Sequence, residues 1–260
     1  MLITTWNING IRARIEGALA YVREAKPDVL CLQEIKCQDE SFPREAFGDL
    51  GYNVETHGQK GFNGVALISN HPLEEVSRGL PGDDGDVQAR FIEASVTAGD
   101  LSVRVASLYL PNGNPIGTEK FAYKLGWMAR LEAHARVRLA EEMPVVLAGD
   151  FNIIPEPADA RRPEAWTSDA LFQPESRAAF RVIENLGYID AVRTCHPEPG
   201  LYTFWDYQAG AWQKDDGIRI DHHLLSPQAA DRLKGAGIDK FTRSWEKPSD
   251  HVPVWISLQT

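Results

Sequence analysis

Short apolar runs, many of them β-branched or alternating with polar positions, recur along the chain. Leu2–Ile8, Val29–Glu34, Gly64–Ser69, Arg90–Thr97, Ser102–Leu110, Val145–Asp150, Ile218–Ser226 and Val252–Leu258 have the length and pattern of strands. Helical spacing falls between them. Ala13–Ala25 is one such segment, stopped by Pro27, because helices end at or before the residue that precedes a proline. Thr118–Glu142 is the longest, with Phe121, Leu125, Met128, Leu131 and Leu139 near one stripe, and Arg177–Leu186 is a third, closed by Gly187. The neighbouring runs Arg90–Thr97 and Ser102–Leu110 predict a hairpin about Gly99-Asp100. Helices and strands interleave without strict alternation, which predicts an α/β fold of mixed sheets covered by helices.

The pattern lapses at Pro155–Pro174, a proline-rich stretch that contains the pair Arg161-Arg162. A loop of this length in a compact domain is either functional or a plain surface excursion. Pro81–Asp86 reads as a solvated turn, since its acids lack the spacing of a calcium-binding loop. No apolar run approaches bilayer-spanning length, and Met1 leads straight into a strand, so neither a membrane segment nor a signal peptide is expected. The 260 residues form one expected domain, 1–260. Cys31, Cys37 and Cys195 are odd in number and have no metal-ligand spacing, which fits buried bystanders in a reducing cytosol. The net charge of −10, taken alone, argues against a nucleic-acid partner. A local basic face on an acidic protein removes that objection.

Polar residues gather where the apolar runs end. Pro144–Asn152 (P-V-V-L-A-G-D-F-N) closes on Asp150 and Asn152, Asp28–Glu34 closes on Glu34, Asp221 sits within Ile218–Leu225, and Ser249-Asp250-His251 precedes the last run. Acids and a histidine aimed from strand ends occur where α/β folds place their chemistry, and this set points to metal-assisted hydrolysis. His222 and His223 read as packing or surface histidines.

These segments, taken in order, resemble the exonuclease III family of apurinic/apyrimidinic endonucleases, within the endonuclease–exonuclease–phosphatase superfamily, and its bacterial branch in particular. The resemblance covers essentially the whole chain. It is carried by W-N-I-N-G-I-R (Trp6–Arg12), L-Q-E-I-K (Leu32–Lys36), G-Q-K-G-F-N-G-V-A (Gly58–Ala66), L-Y-L-P-N-G (Leu108–Gly113), G-D-F-N-I (Gly149–Ile153), R-I-D (Arg219–Asp221) and K-P-S-D-H-V-P (Lys247–Pro253). It implies a four-layer α/β sandwich, two mixed sheets packed face to face with helices outside. It also implies hydrolysis of the DNA backbone 5′ to abasic sites and removal of nucleotides or blocking groups from 3′ ends of duplex DNA. The implied cofactor is magnesium, with manganese as a substitute, held among Asn7, Glu34, Asp150, Asn152 and Asp250, the Asn7 amide either ligating weakly or orienting a neighbouring carboxylate. Asn9 stands where some relatives carry an aspartate, which makes a second metal position less secure.

In the same comparison Asp150 resembles the residue that orients or deprotonates water, Asn152 a donor to the phosphate, and Tyr109 the phenol on the scissile phosphate, with Asn112 beside it. Asp221 and His251 resemble a carboxylate–imidazole pair. Either Asp150 or His251 could be the base. Phe204, Trp205, Ile218 and Ile220 match the segments that form a pocket for the abasic sugar, and a small residue at Ile218 is expected to relax exclusion of intact nucleotides. Arg161, Arg162 and Trp166 are candidate DNA contacts. The implied setting is a cytoplasmic, nucleoid-associated monomer with no membrane. Another superfamily phosphoesterase, acting on phosphoinositide, sphingomyelin or RNA, and a catalytically silent DNA-binding relative are the alternatives.

Overall fold

The apolar runs assemble into two six-stranded sheets in a computed structural model that describes residues 1–260. The strands are β1 (Leu2–Asn7), β2 (Val29–Gln33), β3 (Asn53–His57), β4 (Val65–Ser69), β5 (Glu74–Arg78), β6 (Phe91–Ala98), β7 (Leu101–Tyr109), β8 (Val145–Asp150), β9 (Ile189–Asp190), β10 (Asp221–Leu225), β11 (Leu233–Ile238) and β12 (Val254–Leu258). The first sheet has the order β11-β12-β1-β2-β4-β3 and the second β5-β6-β7-β8-β10-β9. The helices are α1 (Ile11–Ala25), α2 (Arg44–Gly48), α3 (Glu119–Ala140), α4 (Pro174–Asn185), α5 (Ala191–Cys195) and α6 (Pro227–Ala230). No helix is long and apolar enough to cross a membrane.

Successive side chains of a strand point to opposite faces, so each central strand feeds two cores. Ile3, Cys31 and Leu67 from one sheet meet Val103, Val146 and Leu225 from the other between the sheets. On the far face of the first sheet, Leu30, Leu32 and Ile68 pack against Ala18, Leu19 and Val22 of α1. On the far face of the second, Phe91, Leu108 and Leu147 pack against Trp127, Met128 and Leu131 of α3 and Phe180 of α4. The result is helix, sheet, sheet, helix. A polar tie crosses the middle, where the Gln33 amide donates to Ser107 Oγ at 3.0 Å and Ser107 donates to Leu32 O at 3.1 Å.

Four strands had no sequence signal: β3, β5, β9 and β11. All four are sheet edges. An edge strand is half solvated and tolerates charge and glycine, as the segments E-E-V-S-R of β5 and L-K-G-A-G-I of β11 show. The Pro155–Pro174 stretch is no free excursion. It forms two short 3₁₀ turns, Pro157–Asp159 and Pro163–Trp166. Buried Arg219 fastens it, with Nε 2.7 Å from Asp159 Oδ1 and Nη1 2.6 Å from Asp190 Oδ2. His222 and His223 are both buried, so only the packing half of their expectation applies. His222 accounts for its ring with Arg219 and Ile153 O. Cys31, Cys37 and Cys195 are free thiols, the first two buried.

Direction of travel places the chemistry. β1 runs parallel to β2, and β7 parallel to β8, while β10 and β12 are antiparallel to β8 and β1. The C-terminal ends of β1, β2, β7 and β8 therefore meet the N-terminal ends of β10 and β12 at one edge of the sandwich.

Helix α3 is locked to its sheet by Glu93 on β6, a buried carboxylate that accepts from Arg104 at 3.1 Å, from His134 at 3.0 Å and from Arg138. Burial pushes its pKa up, but the bonds from His134 and Arg138 outweigh burial and bring it from 4.5 down to about 2. A depressed carboxyl contributes stability above its unfolded pKa and loses it as pH falls through its folded pKa. Glu93→Gln is expected to cost about 3–5 kcal/mol in urea unfolding at neutral pH. The gap between variant and parent should then close as pH falls from 4.5 toward 2.

Candidate active site

Six polar residues converge at that edge. Asn7 ends β1, Glu34 follows β2, Tyr109 ends β7, Asp150 ends β8, Asp221 opens β10 directly opposite Asp150, and His251 leads into β12. The close pairing of β7 and β8 at this end requires Gly149, where a Cβ would lie 1.9 Å from Leu108 O. Asn7 Nδ2 donates to Glu34 Oε1 and to Asp150 Oδ2, each at 2.9 Å, and so joins an acid of each sheet. Its oxygen faces away and accepts the Asn9 N–H at 3.0 Å. Asn7 thus turns its nitrogen to the acids and orients them, the second of the two roles expected of it.

His251 lies between two carboxylates, with Nδ1 2.8 Å from Asp221 Oδ2 and Nε2 3.7 Å from Asp150 Oδ2. Thr203 donates to Asp221 at 2.6 Å, and the Phe204 ring packs on the imidazole at 4.9 Å. Asn152, held at φ +48°, donates its amide to Leu110 O at 2.9 Å and its N–H to Asp150 Oδ1 at 2.9 Å, while its oxygen accepts from Asn112 at 3.3 Å. Asp250 accepts from Asn9 at 3.0 Å. Lys36 pairs with Glu34 at 3.0 Å and also reaches Asn9.

Burial opposes charge on His251, but Asp221 and Asp150 outweigh it, and the imidazole pKa rises far above 6.5. Burial also raises the Asp150 carboxyl, with Asp221 adding to the rise and His251 opposing it. Glu34 feels the same burial, yet the Asn7 bond and Lys36 hold it below the ordinary carboxylate range. Burial, then Glu34 and Asp150, keep Tyr109 a neutral phenol able to donate. Asp150, Asp221 and His251 bring ligating atoms within 4.8 Å of one another. Asp221 is already engaged by His251 and Thr203, which leaves Glu34, Asp150 and Asp250 as oxygen donors of the kind a hard divalent cation takes.

The site opens into a cavity of about 310 Å³ whose walls include Glu34, Tyr109, Asn112, Asp150, Asn152, Asp250 and His251. Its apolar side is Phe204, Ile220, Leu171 and Trp166. Two residues expected at the pocket lie elsewhere. Trp205 is 0% exposed, packed against Trp212 and Tyr202, with its indole N–H on Asp215 at 3.1 Å. Ile218 is set one layer back, buried beside Ile154, Ala160 and Leu171, and the apolar wall is left to Trp166, Leu171, Phe204 and Ile220. Alternation explains Trp205, because neighbours in an extended segment point to opposite sides; Ile218 packs in the same apolar cluster as Ile220 without reaching the cavity. Arg161 and Arg162 are exposed, and Arg162 is paired with Asp216, which reduces its availability to a phosphate. Sequence reasoning missed Asp169 and Asp206 on the cavity wall. It also missed Thr203 behind Asp221.

A two-sheet α/β sandwich with clustered acids and a paired histidine at one strand-end edge defines a phosphoester hydrolase. The chain belongs to the Endonuclease/Exonuclease/phosphatase family, whose model matches residues 4–251. It is similar to exodeoxyribonuclease III of Haemophilus influenzae, 36% identical over 267 residues and covering 100% of both chains. Among solved structures it is similar to an AP endonuclease from Archaeoglobus fulgidus, with TM-score 0.93, 36% identity and 100% of both chains covered. It is also similar to the 3′ phosphatase NExo from Neisseria bound to product DNA hairpin, with TM-score 0.95, 37% identity and 100% of both chains covered.

The placement of the two aromatics separates their expected effects. Trp205→Ala should cost about 3–5 kcal/mol of stability, read by denaturant unfolding. Phe204→Ala, at the cavity wall, should cost less stability and more kcat/KM.

Proposed function

We propose that this chain is a divalent-metal-dependent DNA repair nuclease that hydrolyses the phosphodiester 5′ to an abasic site and removes nucleotides or blocking groups from 3′ ends of duplex DNA. The observation that carries the reading is the acid pair bridged by Asn7, set beside His251–Asp221 and open to a cavity with one apolar wall.

Hydrolysis of a phosphodiester needs an aligned water, stabilisation of the phosphoryl charge and help for the leaving oxygen. Asp150, fixed by Asn7 at Oδ2 and by the Asn152 N–H at Oδ1, orients the water and takes its proton as the water oxygen bonds to phosphorus; the bond from phosphorus to the 3′ oxygen breaks, and that oxygen takes a proton from solvent. His251, held between Asp221 and Asp150 with its pKa raised by them, meets the phosphate as an imidazolium. Tyr109, Asn112 and Asn152 supply neutral donors to the phosphoryl oxygens. Magnesium, or manganese in its place, would be held by Glu34 with Asp250 and Asp150, and when bound it supplies charge stabilisation at the phosphoryl group. An abasic nucleotide has no base to pair or stack, so it leaves the helix at low cost. The wall of Trp166, Leu171, Phe204 and Ile220 suits its bare sugar. The enzyme would act as a monomer on duplex DNA in the cytoplasm.

The test is an end-labelled duplex with a tetrahydrofuran abasic analogue, incubated with magnesium or with EDTA, beside a recessed-3′-end duplex. Magnesium-dependent incision 5′ to the analogue is expected, and its absence defeats the proposal. Asp150→Asn should lower kcat by about 1000-fold or more while largely sparing DNA affinity.

A further inference from the structure

We infer that Lys124 is a positioning residue for the two asparagines that face the phosphate, an inference that rests on the nuclease reading above. Lys124 lies on the inner face of α3 with Trp127, Met128 and Leu131, and it is 0% exposed. Burial brings its pKa from 10.5 down to about 7 against the pull of Asp150 and Asp169, and a polar group buried this deeply is costly unless it is hydrogen-bonded. Its Nζ donates to two main-chain carbonyls, Asn152 O at 2.6 Å and Asn112 O at 3.1 Å. Those carbonyls belong to the loops that follow β8 and β7, so one side chain clamps both loops from behind. On the cavity side, the same two residues touch through Asn112 Nδ2 and Asn152 Oδ1.

The backbone around the clamp is shaped to admit it. Gly113 sits at φ +87°, and a Cβ there would lie 2.5 Å from Lys124 Cδ. Asn152 has the left-handed φ of +48°, a conformation that costs a non-glycine residue about 1–3 kcal/mol unless its surroundings enforce it. Lys124 holds its carbonyl, Leu110 its side-chain amide and Asp150 its N–H. The lysine therefore orients donors without lining the cavity. A helix packed only for stability would place an apolar residue at this position, as it does at the neighbouring positions of the stripe.

The experiment compares the parent with Lys124→Met and Lys124→Gln on the abasic-analogue duplex. It measures kcat and KM with magnesium, the salt dependence of DNA affinity in EDTA, and thermal melting. Lys124→Met, if folded, is expected to lower kcat about 100-fold with a much smaller change in KM. Lys124→Gln, which keeps a donor but no charge, should recover part of the loss. The slope of log affinity against log salt should match the parent in both, because a lysine that neutralises no phosphate releases no counterion. A folded variant with parental kcat overturns the inference. So does a salt slope smaller by about one ion, which would place Lys124 on the DNA itself. Should Lys124→Met fail to fold, Lys124→Gln decides by the same readouts. If the parent itself makes no incision, the nuclease reading falls and this inference with it; if the parent cuts and the variants keep its kcat, this inference falls alone.

Discussion

The structure turns on one amide. Asn7 Nδ2 reaches Glu34 at the end of β2 and Asp150 at the end of β8, in different sheets, at 2.9 Å each. Two carboxylates cannot be gathered this closely in a buried setting without donors between them, because each charge resists desolvation and repels the other. The amide meets both needs and registers one sheet against the other at the edge where the chemistry lies. The C-terminal segment is stitched to the same point. Ser249 donates to Asn7 O at 2.7 Å, and the Trp6 indole donates to His251 O at 3.1 Å. The first strand and the segment before the last strand are thereby fixed together, although they are far apart in sequence.

From this follows the charge logic of an acidic enzyme with a polyanionic substrate. The net charge of −10 is a global quantity, and the site answers it locally. Asp221 holds His251 as a cation, Lys36 stands against Glu34, and Lys124 lies behind Asn112 and Asn152. His251 and Lys36 are each tied to a carboxylate, so their positive charge near the phosphate position is preorganised.

Part of the cavity's apolar wall comes from the Pro155–Pro174 loop. Buried Arg219 grips Asp159 and Asp190. Asn114 and Asp169 join the loop to the segment after β7 at 3.0 Å. The loop thus lends Trp166 and Leu171 to the cavity wall from a secured base rather than as a mobile arm.

The sequence by itself determined the central strands, the three main helices and the polar residues of the site. Buried strands must be apolar, amphipathic helices must carry a stripe, and strand ends that do chemistry interrupt those patterns with Glu34, Asp150, Asp221 and His251. The order of the motifs carried the family as well. Tertiary structure decided what depends on the direction of a side chain or on neighbours distant in sequence. The edge strands lack a pattern because half of each faces water. Trp205 is next to the cavity residue Phe204 but faces the other way, and Ile218 packs beside Ile220 without reaching the cavity. Asn7 was readable as a site residue, while which end of its amide meets the acids was not, since that depends on Asn9 and on both sheets. Lys124 is the sharpest case. In sequence it is a charge on an apolar stripe, and only the packing of α3 beneath two loops turns that mismatch into a clamp.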